Sequence, residues 1–202
     1  MGIGPQHELD DVFKKKARLH QSMYREKALG VPFKDYGSRL TDEDAKKGLN
    51  YYQGLGVMKE LRKRYPRYNP CRDANLLRSE HIPFNLIAPL KKDIDFAKRV
   101  FNVFLDGLVH HVENIGMEWA PKPARDYLDD STSFDAFVLF TQIDESKTGL
   151  GIEIKYTEGP TAPGDKEIRA INDSNSPYWV VTRKSNIYSK GVESKLKADG
   201  YR

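Results

Sequence analysis

Three polar side chains stand out in residues 133–158, a stretch whose remaining pattern is largely apolar. Residues 134–140 are apolar at every position except Asp135, and a carboxylate in such a segment is costly unless a partner holds it. Glu153 and Lys155 stand two residues apart in an alternating segment, so on a strand they share one face, about 6–7 Å apart. If a hairpin lays the carboxylates side by side next to the ammonium group, the three side chains offer a place for a divalent metal ion and a water molecule.

Two strands and a turn must position these side chains. Residues 134–140, rich in Phe and Val, are typical of a strand buried on both faces. Residues 144–149 form a polar turn, with Gly149 and Gly151 as breakers. Residues 152–157 alternate between apolar and polar side chains, which predicts a second strand with its isoleucines and tyrosine on one face.

The spacing of an acid, any residue and then Lys is weak evidence in a chain that is 31% charged. It occurs at Asp44/Lys46, Glu145/Lys147, Glu153/Lys155 and Glu193/Lys195. Only the pair Glu153/Lys155 lies on a predicted strand that follows a buried strand with its own Asp. The context, and not the tripeptide, therefore makes this pair a candidate site.

These residues resemble the motif of the PD-(D/E)XK nuclease superfamily, the fold of many restriction endonucleases. Asp135 matches the first acid of that motif, and Glu153 and Lys155 match its E-x-K. Phe134 stands where the motif in its full form has Pro, and many members lack that Pro.

Longer strings carry the same resemblance. SFDAFV, GIEIKYTE and LLRSEHIPFNLIAPL (residues 76–90) are similar to a bacterial group described only as restriction-endonuclease-like. The similarity covers residues 70–160, and YGSRL at 36–40 suggests that it extends towards the N-terminus.

The resemblance implies an α/β fold with a mixed core sheet flanked by helices. We expect a basic helical extension over residues 1–70 and a nuclease-like core over residues 71–202. The family core is helix, three strands, helix, strand; here the final helix is short and no last strand is evident, so we expect an incomplete C-terminal part or a fold completed by a partner.

The resemblance also implies a metal-dependent nuclease that hydrolyses DNA, an endonuclease of restriction or defence type. Mg²⁺ or Mn²⁺ would be bound by Asp135, Glu153, the backbone carbonyl of Ile154 and Glu80 of the RSEH string. Lys155 would orient a water molecule or take its proton. Asp129 and Asp130, in the loop 121–133, are rival acids.

Two other functions remain open from the sequence. One is an inert member of the fold that binds nucleic acid or acts as a partner-activated subunit, in which Glu153 and Lys155 form only an ion pair. The other is an unrelated α/β domain with a chance E-x-K. A homodimer or partner subunit is implied by the family alone.

A basic and aromatic segment is the best candidate for contact with DNA. Its cations are Lys59, Arg62, Lys63, Arg64 and Arg67, interleaved with tyrosines on which bases could stack. A basic helix end that complements the macrodipole explains part of the same pattern.

Composition favours a cytoplasmic globular protein. The chain has 202 residues, 39% of them hydrophobic, and a net charge of +4 that permits nucleic acid without requiring it. No apolar run approaches the ~20 residues of a membrane span, and the N-terminus lacks the regions of a secretion signal. The single cysteine, Cys71, excludes an intramolecular disulfide and a cysteine-based zinc site.

Periodicity predicts the remaining elements. They are a helix over 8–29 with an apolar side of Leu9, Val12, Phe13 and Leu19, a loop over 31–40, a helix over 41–65 weakened near 53–57, a helical segment 73–91 interrupted by Pro83, a strong helix over 93–115, a short strand over 116–120 and mixed signals over 166–182.

Overall fold

The computed structural model describes residues 2–128, 132–159, 164–186 and 191. Its α-helices are α1 (Val12–Tyr24), α2 (Asp42–Lys46), α3 (Val57–Arg64), α4 (Pro70–Asp73), α5 (His81–Leu86), α6 (Ile94–Phe104), α7 (Asp165–Asn172) and α8 (Pro177–Ser185). Its strands are β1 (Phe33–Lys34), β2 (Tyr36–Leu40), β3 (His111–Trp119), β4 (Phe134–Thr141) and β5 (Lys147–Ile152). One compact unit comprises residues 1–119 with 134–158, and the other comprises 120–133 with 159–202.

The centre of the first unit is an antiparallel sheet of order β3-β4-β5. Val138 pairs with Ile115 on one side and with Leu150 on the other. Paired residues of neighbouring strands share a face, so these side chains form an apolar surface, on which α6 packs with Ala97 and Phe101. The predicted α/β fold, a sheet flanked by helices, is confirmed.

Burial along β4 follows the pleat. Ala136, Val138 and Phe140 are buried, whereas the intervening Asp135 and Leu139 are half-buried. The prediction of a strand buried on both faces is therefore right for one face only.

Gly149 and Gly151 lie inside β5 and do not break it, contrary to the sequence prediction. A Cβ on Gly149 would lie 2.4 Å from the Phe137 ring, and one on Gly151 would lie 2.7 Å from the Phe134 ring. Aromatic side chains thus cover the glycines, which explains a strand that carries two residues of low strand propensity.

The helix predicted over 93–115 is too long, because α6 ends at Phe104 and residues 111–115 belong to β3. Asp106 and Gly107 adopt positive φ angles of 48° and 82°, which stop a helix. The Asn102 side chain then bonds both the N–H and the carbonyl of Val109, which fixes the turn into the strand. The short strand predicted over 116–120 is the second half of β3.

The N-terminal predictions also need correction. The predicted apolar side of α1 is exposed, with Leu9 at 89% and Val12 at 73%, whereas the helix buries Arg18 and Ser22. The predicted loop 31–40 instead contains the paired strands β1 and β2.

The two helical segments predicted next are shorter than expected. The helix over 41–65 is divided into α2 and α3 by a break that is wider than the predicted 53–57. The segment 73–91 holds α5, in which Pro83 lies in the first turns, where its missing N–H costs little. The turn predicted over 144–149 is shorter, since β5 begins at Lys147.

The second unit contains α7 and α8, so the mixed signals over 166–182 correspond to two helices. Trp179 is fully buried, and its ring N–H donates to the carbonyl of Ile171 at 2.7 Å. Of residues 187–202, the described part of the chain includes only residue 191. Among the described helices, none is long and apolar enough to cross a membrane.

Candidate active site

The site forms where β5 leaves its partner strand. The ladder between β4 and β5 ends with Ala136 opposite Ile152, and residues 153–155 continue without strand pairing. The predicted second strand over 152–157 is therefore misplaced: β5 is paired over Lys147–Ile152. The carboxylate of Asp135 accepts the freed N–H of Ile154 at 2.6 Å. The Asp135 side chain thus replaces the next hydrogen bond of the β4–β5 ladder. It holds residues 153–155, the E-x-K segment, beside the first residues of β4.

The expected alternation survives beyond the paired strand. Glu153 and Lys155 are exposed, whereas Ile152, Ile154 and Tyr156 are half-buried. The ammonium group of Lys155 contacts Glu153 Oε1 at 2.5 Å. This hydrogen bond to Glu153 raises the pKa of Lys155, so that Lys155 is an ammonium ion at neutral pH.

The environment of Asp135 disfavours its charge. Burial raises the pKa of Asp135, the hydrogen bond from Ile154 opposes that rise, and the negative charge of Glu153 adds to it. Lys155 lowers the pKa of Asp135 and Glu80 raises it. Asp135, Glu153 and Lys155 therefore lie within electrostatic reach of one another, as the sequence suggested.

The raised pKa gives a stability prediction for Asp135→Asn, which removes the charge but keeps an oxygen for the Ile154 N–H. Folding disfavours the ionised carboxylate, so its cost is full above the raised folded-state pKa and absent below the ordinary carboxyl range. We expect the variant to melt about 1–3 °C higher at pH 7 without metal and at the wild-type temperature near pH 3. Thermal melts at both pH values measure this.

Asp144→Asn is the matched control, since hydrogen bonds from Ser146 lower the pKa of Asp144. The same change of charge should there leave the melting temperature unchanged or lower it at pH 7. A lower melting temperature of Asp135→Asn at pH 7 would contradict the assigned environment of Asp135.

The segment 77–80 fastens the end of the E-x-K segment from the other side. The Thr157 hydroxyl donates to the carbonyl of Leu77 at 2.9 Å, and the N–H of Ser79 donates to Glu158 at 2.8 Å. Burial works against the charge of Glu158, but hydrogen bonds from Ser79 and from the backbone N–H groups of Glu158 and Tyr156 outweigh it and hold the pKa of Glu158 below its usual range. Thr157 and Glu158 thus support the segment that carries Glu153 and Lys155.

Glu80 lies near the acids but is already paired. Arg78 Nε contacts Glu80 Oε2 at 2.6 Å, and this bond raises the pKa of Arg78. Arg78 also approaches Glu158 at 3.9 Å. The role of Glu80 as a metal ligand stays a prediction, and it requires the carboxylate to leave or share Arg78.

The N-terminal helix reaches the E-x-K segment, which the sequence pattern did not predict. Phe13 meets the Tyr156 ring edge-on at 6.1 Å, and the Gln21 amide contacts the Tyr156 hydroxyl at 3.4 Å. The division into an extension and a core at residue 70 stays a prediction, but described contacts cross it. No local sequence signal indicates this contact, because Phe13 is exposed and because Phe13 and Gln21 are far from Tyr156 in the sequence.

The donor set suits a hard divalent cation. Among the described residues, no group of three or more His, Cys, Asp or Glu side chains is placed to hold a metal. Two carboxylates, Asp135 and Glu153, suffice for Mg²⁺, which keeps several waters and uses one or two carboxylates. Burial is the main cause of the raised pKa of Asp135, and the repulsion from Glu153 that adds to it would be relieved by a bound cation. The rival acids Asp129 and Asp130 lie outside the described residues.

The cations of the predicted DNA-contact segment lie mostly at the surface. Lys59, Lys63, Arg64 and Arg67 are exposed and Arg62 is half-buried. Arg64 lies 5.1 Å from the centre of the Tyr65 ring and 3.9 Å from a carboxylate oxygen of Glu118, near the end of β3. Contact of these cations with DNA stays a prediction.

A family model described as the PD-(D/E)XK nuclease superfamily matches residues 8–202. Comparisons with curated proteins and with solved structures gave no match. The family match spans nearly the whole chain, and the structure brings Asp135 of β4 together with Glu153 and Lys155 of the unpaired segment that follows β5. The chain therefore belongs to the PD-(D/E)XK nuclease superfamily.

Proposed function

We propose that this protein is a Mg²⁺- or Mn²⁺-dependent nuclease that hydrolyses phosphodiester bonds of DNA. The observation that carries the proposal is the Asp135 carboxylate bonded to the Ile154 N–H, because this bond sets a half-buried acid beside Glu153 and Lys155. Two acids that would hold a metal ion, with the ammonium group of Lys155 beside them, are suited to a phosphate group, which is anionic and reacts with water.

Each side chain has a role that its environment supports. Asp135 and Glu153, with the Ile154 carbonyl, would hold the cation, and Glu80 would join them once released from Arg78. When bound, the cation lowers the pKa of water and offsets the charge that develops on the phosphate. Lys155 is an ammonium ion beside Glu153, so it would orient the attacking water and balance the phosphate charge.

A cleavage assay tests the proposal. The protein is incubated with supercoiled plasmid, linear duplex and single-stranded DNA, in Mg²⁺, Mn²⁺ or EDTA, and the same set is repeated with RNA. We expect DNA cleavage that needs the cation and is absent in the double variant Asp135→Ala, Glu153→Ala. Cleavage by the double variant at the wild-type rate would refute the assigned site, and cleavage in EDTA would refute the metal dependence.

One observation favours a second candidate, an inert member that binds nucleic acid or needs a partner subunit. The contact of Lys155 with Glu153 satisfies both charges without a ligand. Titration with Mn²⁺ separates the two functions, because a catalytic site should bind Mn²⁺ and lose it in the double variant. DNA binding without Mn²⁺ binding would favour the inert member.

A further inference from the structure

A cavity of about 240 Å³ adjoins the candidate active site. Its walls come from α1, from β2, from residues 75–78 and from Thr157 and Glu158. Thr157 follows Lys155 by two residues, so their Cα atoms are at most about 7 Å apart. The charged side chains in the walls are Lys14, Arg18, Arg39, Arg78 and Glu158.

Two of these cations are fixed in place by carboxylates. Arg18 is buried and donates to both oxygens of Asp10, at 2.5 and 3.2 Å, and to the Ser38 hydroxyl at 3.1 Å. Arg78 is held by Glu80 at 2.6 Å. These two side chains line the cavity with positive charge, but their carboxylate partners balance much of it.

The other two cations, Lys14 and Arg39, are balanced less closely. No ion pair of Lys14 is found among the described residues, and the Arg39 guanidinium donates to the carbonyl of Pro70 at 3.3 Å. Lys14 is half-buried at the cavity, whereas the following Lys15 and Lys16 are exposed. Arg39 Nε is buried and has no hydrogen-bond acceptor among the described residues. The nearest carboxylate oxygen to Arg39 Nε belongs to Asp35, at 3.9 Å, on a side chain that is 63% exposed. A buried donor without an acceptor is costly, and an anionic ligand in the cavity that Arg39 lines would supply one.

We propose that this cavity binds the terminal phosphate of a nucleic acid strand, with Lys14 and Arg39 as its principal contacts. A phosphate monoester carries close to two negative charges at neutral pH, which matches Lys14 and Arg39, because the one carboxylate paired with either of them in the described residues is the exposed Asp35 at 3.9 Å. The volume of about 240 Å³ accommodates a phosphate with part of its sugar. This inference rests on the proposed function for the identity of the ligand.

The position of the cavity has a consequence for the reaction. A strand end held beside Thr157 lies next to the segment that carries Glu153 and Lys155. Cleavage would then occur at a short, fixed distance from the end, in place of the internal cutting that the family resemblance suggests.

Binding in EDTA tests the cavity separately from catalysis. Three oligonucleotides of one sequence carry a 5′-phosphate, a 3′-phosphate or only hydroxyl ends, and fluorescence anisotropy gives their dissociation constants. We expect one phosphorylated strand to bind about tenfold more tightly than the hydroxyl-ended strand, from charge-assisted hydrogen bonds to the phosphate. The double variant Lys14→Gln, Arg39→Gln should reduce that ratio to about one, while Lys15→Gln, a matched change on the exposed side of α1, should keep it.

Each outcome is decisive. A ratio near one in the wild type, or a ratio that survives in the double variant, would overturn the proposal. If the double variant does not fold, Lys14→Gln alone is compared by the same measure.

Inorganic phosphate gives a second test. Competition by inorganic phosphate that removes the end preference would support the proposal, whereas stabilisation by inorganic phosphate without any end preference would mark a site for the free ion and overturn the proposal. An end preference without cleavage in Mn²⁺ would leave the cavity standing and refute the nuclease function. Cleavage without an end preference would support the nuclease function and overturn the cavity proposal.

Discussion

Lys155→Ala should lower the rate of DNA cleavage by about 10³-fold, since removal of one group that stabilises a developing charge or positions a proton typically costs 10²- to 10⁴-fold. The fold should survive, because the Lys155 side chain is 70% exposed. Mn²⁺ affinity should change by less than about threefold, since the carboxylates of Asp135 and Glu153 remain. Single-turnover cleavage of linear duplex DNA and Mn²⁺ titration measure the two effects.

Lys147→Ala is the control, because Lys147 belongs to the similar tripeptide Glu145–Ser146–Lys147. Lys147 lies at the other end of β5 and pairs with Glu113 at 3.0 Å. Its removal takes the same charge from the same hairpin and should leave the cleavage rate within about twofold of the wild type. If Lys155→Ala cut as fast as Lys147→Ala, the catalytic role of Lys155 would be wrong.

The meeting of Asp135 with Glu153 could be predicted because it depends on local information. Two apolar segments joined by a short polar turn form a hairpin, and adjacent strands bring residues near their open ends together. The predicted strand pairing was wrong, because β5 ends at Ile152 and the E-x-K segment follows it without pairing. The hydrogen bond from Ile154 to Asp135 supplies the contact that continued pairing was expected to give.

The polar interior of the N-terminal region could not be predicted by the same means. Arg25 is fully buried, and its guanidinium donates to the carbonyls of Gly2, Ile3, Val31 and Gly37. Burial lowers the pKa of Arg25, so the fold must supply these acceptors. Backbone carbonyls carry no sequence signature, and a periodic pattern therefore assigns an arginine to the surface and Leu9 to the core.

The cavity beside the active site escaped prediction for a related reason. Arg39 and Lys14 belong to different elements, and tertiary packing alone makes them line the same cavity as Thr157. The similarity of YGSRL at 36–40 to the family was the one sequence signal that included Arg39. It indicated membership of the family and did not indicate a ligand for Arg39.

Asp73→Ala should cost about 3–5 kcal/mol in the free energy of unfolding, the usual effect of leaving one buried charge without its partner. Asp73 is fully buried and accepts two hydrogen bonds from Arg72, both at 2.8 Å, one from the Tyr51 hydroxyl at 3.2 Å and one from the Asn69 N–H at 2.8 Å. Arg72 is only 8% exposed, so water cannot replace the lost carboxylate. Urea denaturation at pH 7 measures the loss.

Two further variants separate this explanation from a general sensitivity to lost carboxylates. Glu43→Ala breaks an exposed ion pair with Lys47 on α2 and should cost less than about 1 kcal/mol. The double variant Arg72→Met, Asp73→Leu removes both buried charges and should regain most of the stability that Asp73→Ala loses, because no unpaired ion remains. A double variant as unstable as Asp73→Ala would mean that the Tyr51 and Asn69 hydrogen bonds, and not the charge of Arg72, account for the cost.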